Sequence, residues 1–188
     1  MSVNTCVHRL AIAVLIPQKP LYAKKNQLTL RPMNSDLITA ITPTRLGFMR
    51  CAATPRGLCA VSFEDATPTE KDSPDALSLW IKALNNHLEH QHPFDTALPL
   101  DVGGTPFQRT VWQYLQTIPA GEVRSYAEVA AAIGKPAAVR AVASACAKNS
   151  LALIIPCHRV VRSDGSLGGY RWGVERKRAL LKTEGSVG

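Results

Sequence analysis

An α+β fold is predicted: a small mixed N-terminal subdomain followed by a mainly helical one. Three observations carry this. Between residues 45 and 63 short apolar bursts alternate with turn signals, which is strand behaviour. Between residues 105 and 148 three stretches carry apolar residues at helical spacing. The charge also divides: residues 1–102 hold ten Lys/Arg against nine Asp/Glu, and residues 103–188 hold twelve against five. A basic half of this kind suits a polyanionic partner.

Taken in order, residues 1–44 show no sustained period and are expected to form a loosely ordered leader. Leu46–Ala52 and Gly57–Phe63 flank Thr54-Pro55-Arg56-Gly57 and read as a hairpin. Cys51 and Cys59 are then strand residues. Ser73, Pro74 and Asp75 form a helix start, and Leu77, Trp80, Ile81, Leu84 and Leu88 mark one face of that helix. His87, His90 and His92 near its end are expected to be solvated and not to bind metal. Residues 93–104 read as a linker, so the subdomains are placed at 45–98 and 103–188.

The second half opens with Thr105 as cap and Pro106 at the first helical position, with Phe107, Val111, Leu115 and Ile118 on one face. Ser125-Tyr126-Ala127-Glu128 is a capping box whose helix stops at Gly134. After Lys135-Pro136 a second helix runs from about Ala137 to Lys148, making a helix-turn-helix. Val139, Val142 and Cys146 lie on its inner face, and Arg140, Ser144 and Lys148 on its outer one. With alanines between, that surface suits sequence-independent binding through phosphates. Ser163-Asp164-Gly165-Ser166 reads as a turn and residues 168–173 as a loop. The last helix spans about Val174 to Lys182, with Glu184 on the inward face of Leu180 and Leu181 if the helix reaches that far.

The stretch with most chemical content is Leu151–Val161. Five apolar residues predict a buried strand or core segment, which Pro156 stops. Cys157, His158 and Arg159 follow. A thiol at the border of core and solvent is nucleophilic where a neighbouring cation favours the thiolate. On an extended segment His158 would point away from Cys157 and act on it through a bridging group. Glu184, facing inward, needs a partner, and a histidine hydrogen-bonded to it is the oriented base that activates a cysteine. Five scattered cysteines make neither a disulfide framework nor a C-x-x-C zinc site, and no apolar run reaches membrane-spanning length.

Pro156-Cys157-His158-Arg159, the Ser125-Tyr126 helix start, Lys135-Pro136 with Arg140-Ala141-Val142, and Gly169-Tyr170-Arg171-Trp172-Gly173 together resemble the O6-alkylguanine-DNA alkyltransferases. The likeness covers residues from about 100 to 185, and 45–98 fits that family's N-terminal subdomain. The last motif resembles the C-terminal half of bacterial Ada, whose Cys-rich zinc domain has no counterpart in this sequence. The resemblance implies a ribonuclease-H-like first subdomain and a winged helix-turn-helix catalytic one. It implies single-turnover transfer of an alkyl group from guanine O6, and from thymine O4, in double-stranded DNA to Cys157. Through it His158 and Glu184 would raise the thiolate fraction, Asn149 would hold the hydrogen-bond network, and Tyr126 would protonate guanine N3. Arg140 would fill the gap left by a flipped base, with Ser144 and Ser163 also on DNA. The carbonyls of Cys157 and Val160 would accept from the guanine amino group, with Tyr170, Arg171 and Trp172 along the pocket. No cofactor, metal or membrane is implied, and a cytoplasmic monomer is expected. Thr54 and Cys59 stand where zinc-binding relatives carry Cys and His. Trp172 and Ala152 suggest a tight pocket that takes methyl and resists benzylguanine. A lesion-binding protein without transfer, a transcription factor and a Cys-His hydrolase are the competing readings. Cys157 argues against the first, and Cys157 with Glu184 against the second; the third would need an oxyanion hole.

Overall fold

In a computed structural model, residues 37–65, 77–91 and 99–186 are described. The first part is an antiparallel meander of β1 (Ile38–Thr44), β2 (Gly47–Thr54) and β3 (Gly57–Glu64), followed by helix α1 (Ser78–His90). The hairpin falls where the Thr54–Gly57 signal predicts, with Thr54 opposite Gly57. Strand β1 lies inside the stretch expected to be a leader, which therefore cannot extend to residue 44. Its sequence hid it for a physical reason: an edge strand buries one side only, and Ala40 alone is fully enclosed among threonines and Pro43. Residues 1–36 and the expected caps Ser73, Pro74 and Asp75 lie outside the described residues, as does His92.

On α1, Leu77, Leu84 and Leu88 are buried as the periodicity requires. His87 is buried with them rather than solvated, because it follows Leu84 by three residues and shares that face.

The basic half holds α2 (Pro106–Leu115), α3 (Tyr126–Ala132), α4 (Val139–Ala147) and α5 (Val174–Thr183), with β4 (Arg124–Ser125) parallel to β5 (Val160–Val161). Thr105 caps α2 through a capping box with Gln108, and Ser125 caps α3 through one with Glu128. Each box satisfies orphan N–H groups in both directions, which is why both helices begin at those residues. Gly134 takes φ +72° after α3, and a 3-10 turn at Pro136–Ala138 delays α4 by two residues from its expected start. Trp112 on α2 donates its indole N–H to the Ala145 carbonyl of α4 at 2.9 Å, fixing α2 beneath the helix-turn-helix. Among the described residues no helix is long and apolar enough to cross a membrane.

The two parts share one edge. The Val61 amide donates to the Ser150 carbonyl at 2.8 Å, and the Ala152 amide donates to the Val61 carbonyl at 3.0 Å. Leu58 pairs in the same way with Pro99 and Asp101, within the stretch expected to be a linker. Arg176 of α5 reaches back to the Leu46 carbonyl at 2.7 Å and to the Asp65 carboxylate. Strand β3 is thus the base on which the cysteine-bearing segment rests.

Candidate active site

Every residue from Leu151 to Val161 is buried, and of the two alternatives, strand or core segment, Leu151–Ile155 is the second. Only Leu151 bridges β3. Residues 152–154 turn, Leu153 takes φ +68°, and Cys157–Arg159 form a 3-10 turn that leads into β5. Buried backbone groups off a ladder still need partners, and Asn149, fully enclosed, supplies them. Its Nδ2 donates to the Ile155 carbonyl at 2.8 Å and to Cys157 Sγ at 3.1 Å, and its Oδ1 accepts from the Leu151 amide at 2.8 Å. One side chain therefore closes the loop and touches the thiol.

Behind the cysteine, His158 Nε2 lies 2.9 Å from Glu184 Oε1. Glu184 caps α5 with its side chain 1% exposed, so the inward placement holds although the helix proper ends one residue earlier. Burial alone would raise its carboxyl, but hydrogen bonds from His158 and Arg159 outweigh this and hold it at about 2. A carboxylate can only accept, so Nε2 carries the ring proton and Nδ1 is left as an acceptor. Burial keeps His158 below its ordinary value and hence neutral, and Nδ1 has no hydrogen-bond partner among the described residues. Arg159 completes the group with a two-pronged grip on Glu184, Nε to Oε2 at 3.0 Å and NH2 to Oε1 at 2.8 Å, and donates to the Ile118 carbonyl at 2.6 Å. Its role was not legible beforehand, because its partner is 25 residues away.

The thiol itself corrects one expectation. Burial pushes Cys157 up to about 11, and the opposing influences are Asn149, Lys177 and Arg171 rather than its chain neighbours. His158 is neutral and Arg159 is committed to Glu184, so adjacency in sequence supplies no cation to the sulfur. Lys177, which the sequence did not single out, does. It is fully buried on α5, its Nζ donating to the Val160 carbonyl at 2.5 Å and to the Leu167 carbonyl. Burial lowers it to about 8, against the pull of Cys157 and Cys146. The only prior signal was its position three residues before Leu180 on an inward face.

Cys157 opens on a cavity of about 350 Å³ lined by Tyr126, Ala143, Cys146, Ala147, Gly169, Tyr170 and Arg171. Cys146 is buried, as expected, but also forms part of this wall. Burial, then the two thiols, raises Tyr126 to about 12, so it keeps its proton at neutral pH. Gly168, at φ +66°, brings the loop against the Tyr126 ring, where a Cβ would already be in contact. The Tyr170 hydroxyl is buried and has no partner among the described residues, and its ring meets Trp172 edge-on at 5.2 Å. Trp172 stands behind Tyr170, outside the lining, as do Ala152 and the Val160 side chain. Neither Trp172 nor Ala152 therefore narrows the cavity directly. Arg140, Ser144 and Lys148 lie exposed on the outer face of α4, and Ser163 is exposed on the turn after β5. Thr54 bonds Asp101 and Cys59 bonds the Ala52 carbonyl, both structural contacts.

Residues 106–186 match the family model described as 6-O-methylguanine DNA methyltransferase, DNA binding domain. The chain is 49% identical over 158 residues to the bifunctional transcriptional activator/DNA repair enzyme Ada of Escherichia coli, covering 77% of this chain and 44% of that protein. It thus spans less than half the length of that relative. It is 48% identical over 126 residues to the methylated-DNA–protein-cysteine methyltransferase of Mycobacterium tuberculosis, covering 66% of this chain and 75% of the relative. The crystal structure of M. tuberculosis O6-methylguanine methyltransferase superposes with a TM-score of 0.71 at 37% identity, covering 81% of this chain and 94% of that one. The same mycobacterial protein in complex with DNA gives 0.69 at 40% identity, over 80% and 92%.

Proposed function

The chain belongs to the methylated-DNA–protein-cysteine methyltransferase family, and from that premise we propose that it repairs DNA by moving an alkyl group from guanine O6 to Cys157. The observation that carries the reading is the buried thiol on a cavity wall with a neutral, carboxylate-oriented histidine beside it whose Nδ1 has no partner among the described residues. Since burial keeps the resting thiol protonated, His158 Nδ1 takes its proton through a bridging water, and Glu184 stabilises the imidazolium that forms. The sulfur then displaces the purine from the alkyl carbon. Tyr126 gives its proton toward N3 as negative charge develops on the leaving base. The thioether has no hydrolytic exit, so each molecule acts once. No cofactor takes part in this scheme.

A base inside a duplex cannot reach this thiol, so the target nucleotide is flipped out. Arg140 fills the gap, while Ser144 and Ser163 contact the backbone. The carbonyls of Cys157 and Val160 read the guanine amino group, and Lys177 holds the Val160 carbonyl in place through one of its two lone pairs. In this reading the meander with α1 is the ribonuclease-H-like subdomain and the hairpin after β5 is the wing. The protein works as a cytoplasmic monomer on double-stranded DNA carrying O6-alkylguanine, and on O4-alkylthymine as well.

The test is intact mass after incubation with a duplex containing O6-methylguanine, beside Cys157→Ala. A single gain of about 14 Da, one CH₂, on the wild type and none on the variant is expected. Tight binding without any gain would overturn transfer in favour of lesion recognition alone.

A further inference from the structure

The cavity wall carries hydrogen-bond donors that methyl transfer does not use. Arg171 lines the cavity beside Cys157, and its influence reaches the sulfur. Two contacts position the guanidinium: NH1 donates to the Asn149 carbonyl at 3.0 Å, and the Cζ atom lies 5.8 Å from the Trp172 ring centroid. Both supports are buried, so the side chain is held although its end is exposed. Its Nε and NH2 donate to no group among the described residues. Lys177 adds positive potential from behind the sulfur, but it is fully buried and two of its three protons are committed to the Val160 and Leu167 carbonyls. Among the described residues no carboxylate lines the cavity, and Glu184 behind His158 is paired with Arg159. A methyl group gains nothing from such a cation; an adduct with an anionic end gains a charge-assisted hydrogen bond.

We infer that Arg171 makes this pocket selective for anionic O6 adducts, the carboxymethyl group being the class it fits. This rests on the transfer reading above. The Cys157 sulfur bonds to the methylene carbon, the carbon–O6 bond breaks, and its electron pair leaves with the purine, which takes the Tyr126 proton. The thiol proton goes to His158. The product is S-carboxymethylcysteine, its carboxylate facing the free donors of Arg171.

The experiment measures single-turnover rates at saturating protein on duplexes carrying O6-carboxymethylguanine, its neutral near-isostere O6-carbamoylmethylguanine, or O6-methylguanine. The readout is the carboxymethyl-to-carbamoylmethyl rate ratio, in which intrinsic reactivity is common to all variants. In Arg171→Gln that ratio should fall about tenfold from its wild-type value, and in Arg171→Lys it should fall by less than about threefold. For the wild type it should also decline as salt rises, since the cation is exposed. An unchanged ratio in Arg171→Gln, with all adducts slowed alike, would mean that Arg171 grips the DNA backbone and would overturn the inference. So would a wild-type ratio indifferent to salt. Failure of the wild type on the methyl adduct would instead overturn the transfer reading itself.

Discussion

Strand β3 and the Leu151–Val161 segment are both buried apolar stretches, and they touch, but they satisfy their backbones in opposite ways. In β3 the ladder to β2 on one edge and the bonds to Pro99, Asp101, Ser150 and Ala152 on the other satisfy the backbone, and the enclosed side chains Leu58, Val61 and Phe63 only pack. In the cysteine segment the ladder is limited to a single bridge and two residues of β5, and enclosed polar side chains replace it. Asn149 closes the turn, Lys177 binds the Val160 carbonyl, and Arg159 with Glu184 anchors the 3-10 turn. Irregular backbone in a core costs buried polar groups, and here the same groups surround a nucleophile. Leu153 at φ +68° shows that the segment is held in a conformation a leucine disfavours.

The contrast predicts unequal responses to matched changes. Glu184→Gln should lower the unfolding free energy by about 3–5 kcal/mol, because it leaves the Arg159 charge buried without its partner. Glu64→Gln, which breaks the half-exposed 2.6 Å pair to Arg50 on the sheet, should cost about 1 kcal/mol or less. Urea titration measures both, and equal losses would erase the distinction. Next in size is Asn149→Ala, expected to cost about 2–3 kcal/mol by orphaning a buried amide and carbonyl. The partly exposed Ser62→Ala on β3 should stay within about 0.5 kcal/mol.

Acid sharpens the same comparison. Glu184 is held at about 2 in the folded chain against an ordinary 4.5, so its contribution is complete above pH 4.5 and lost as pH falls through about 2. Wild-type stability should decline over that interval, and Glu184→Gln should decline less steeply there. Wild-type and variant curves of equal slope would count against the His158–Glu184–Arg159 coupling. The smallest effect concerns the thiols. Burial raises Cys51 in β2 to about 12 and Cys157 to about 11. At pH 8 iodoacetamide should therefore label Cys157, which lines a cavity, faster than the fully enclosed Cys51, read by peptide mapping.

Much of this arrangement was legible in the chain. The hairpin at Thr54–Gly57, the cap at Thr105, the capping box at Ser125 and the inward Glu184 follow from local chemistry that acts over four residues or fewer, and the structure keeps them. Strand β1 was not legible, because an edge strand with one enclosed side has a weak period. Whether Leu151–Ile155 is a strand or a core segment was undecided for a related reason: an apolar run signals burial, and says nothing about whether a ladder partner is available along its length. Arg140, Ser144 and Ser163 were placed at the surface correctly, whereas Trp172 was placed on the cavity wall and stands one layer behind it.

By itself, the sequence determined where α2 and α3 are capped, which helix faces turn inward, and that Glu184 faces the core, since these depend on neighbours along the chain. Only the tertiary structure decided which charges reach the sulfur. His158 and Arg159, adjacent to Cys157, are turned to Glu184, and the cations that bear on the thiol are Lys177 and Arg171 from residues beyond the turn. Electrostatic influence depends on distance through space and on burial, and neither is encoded in separation along the chain.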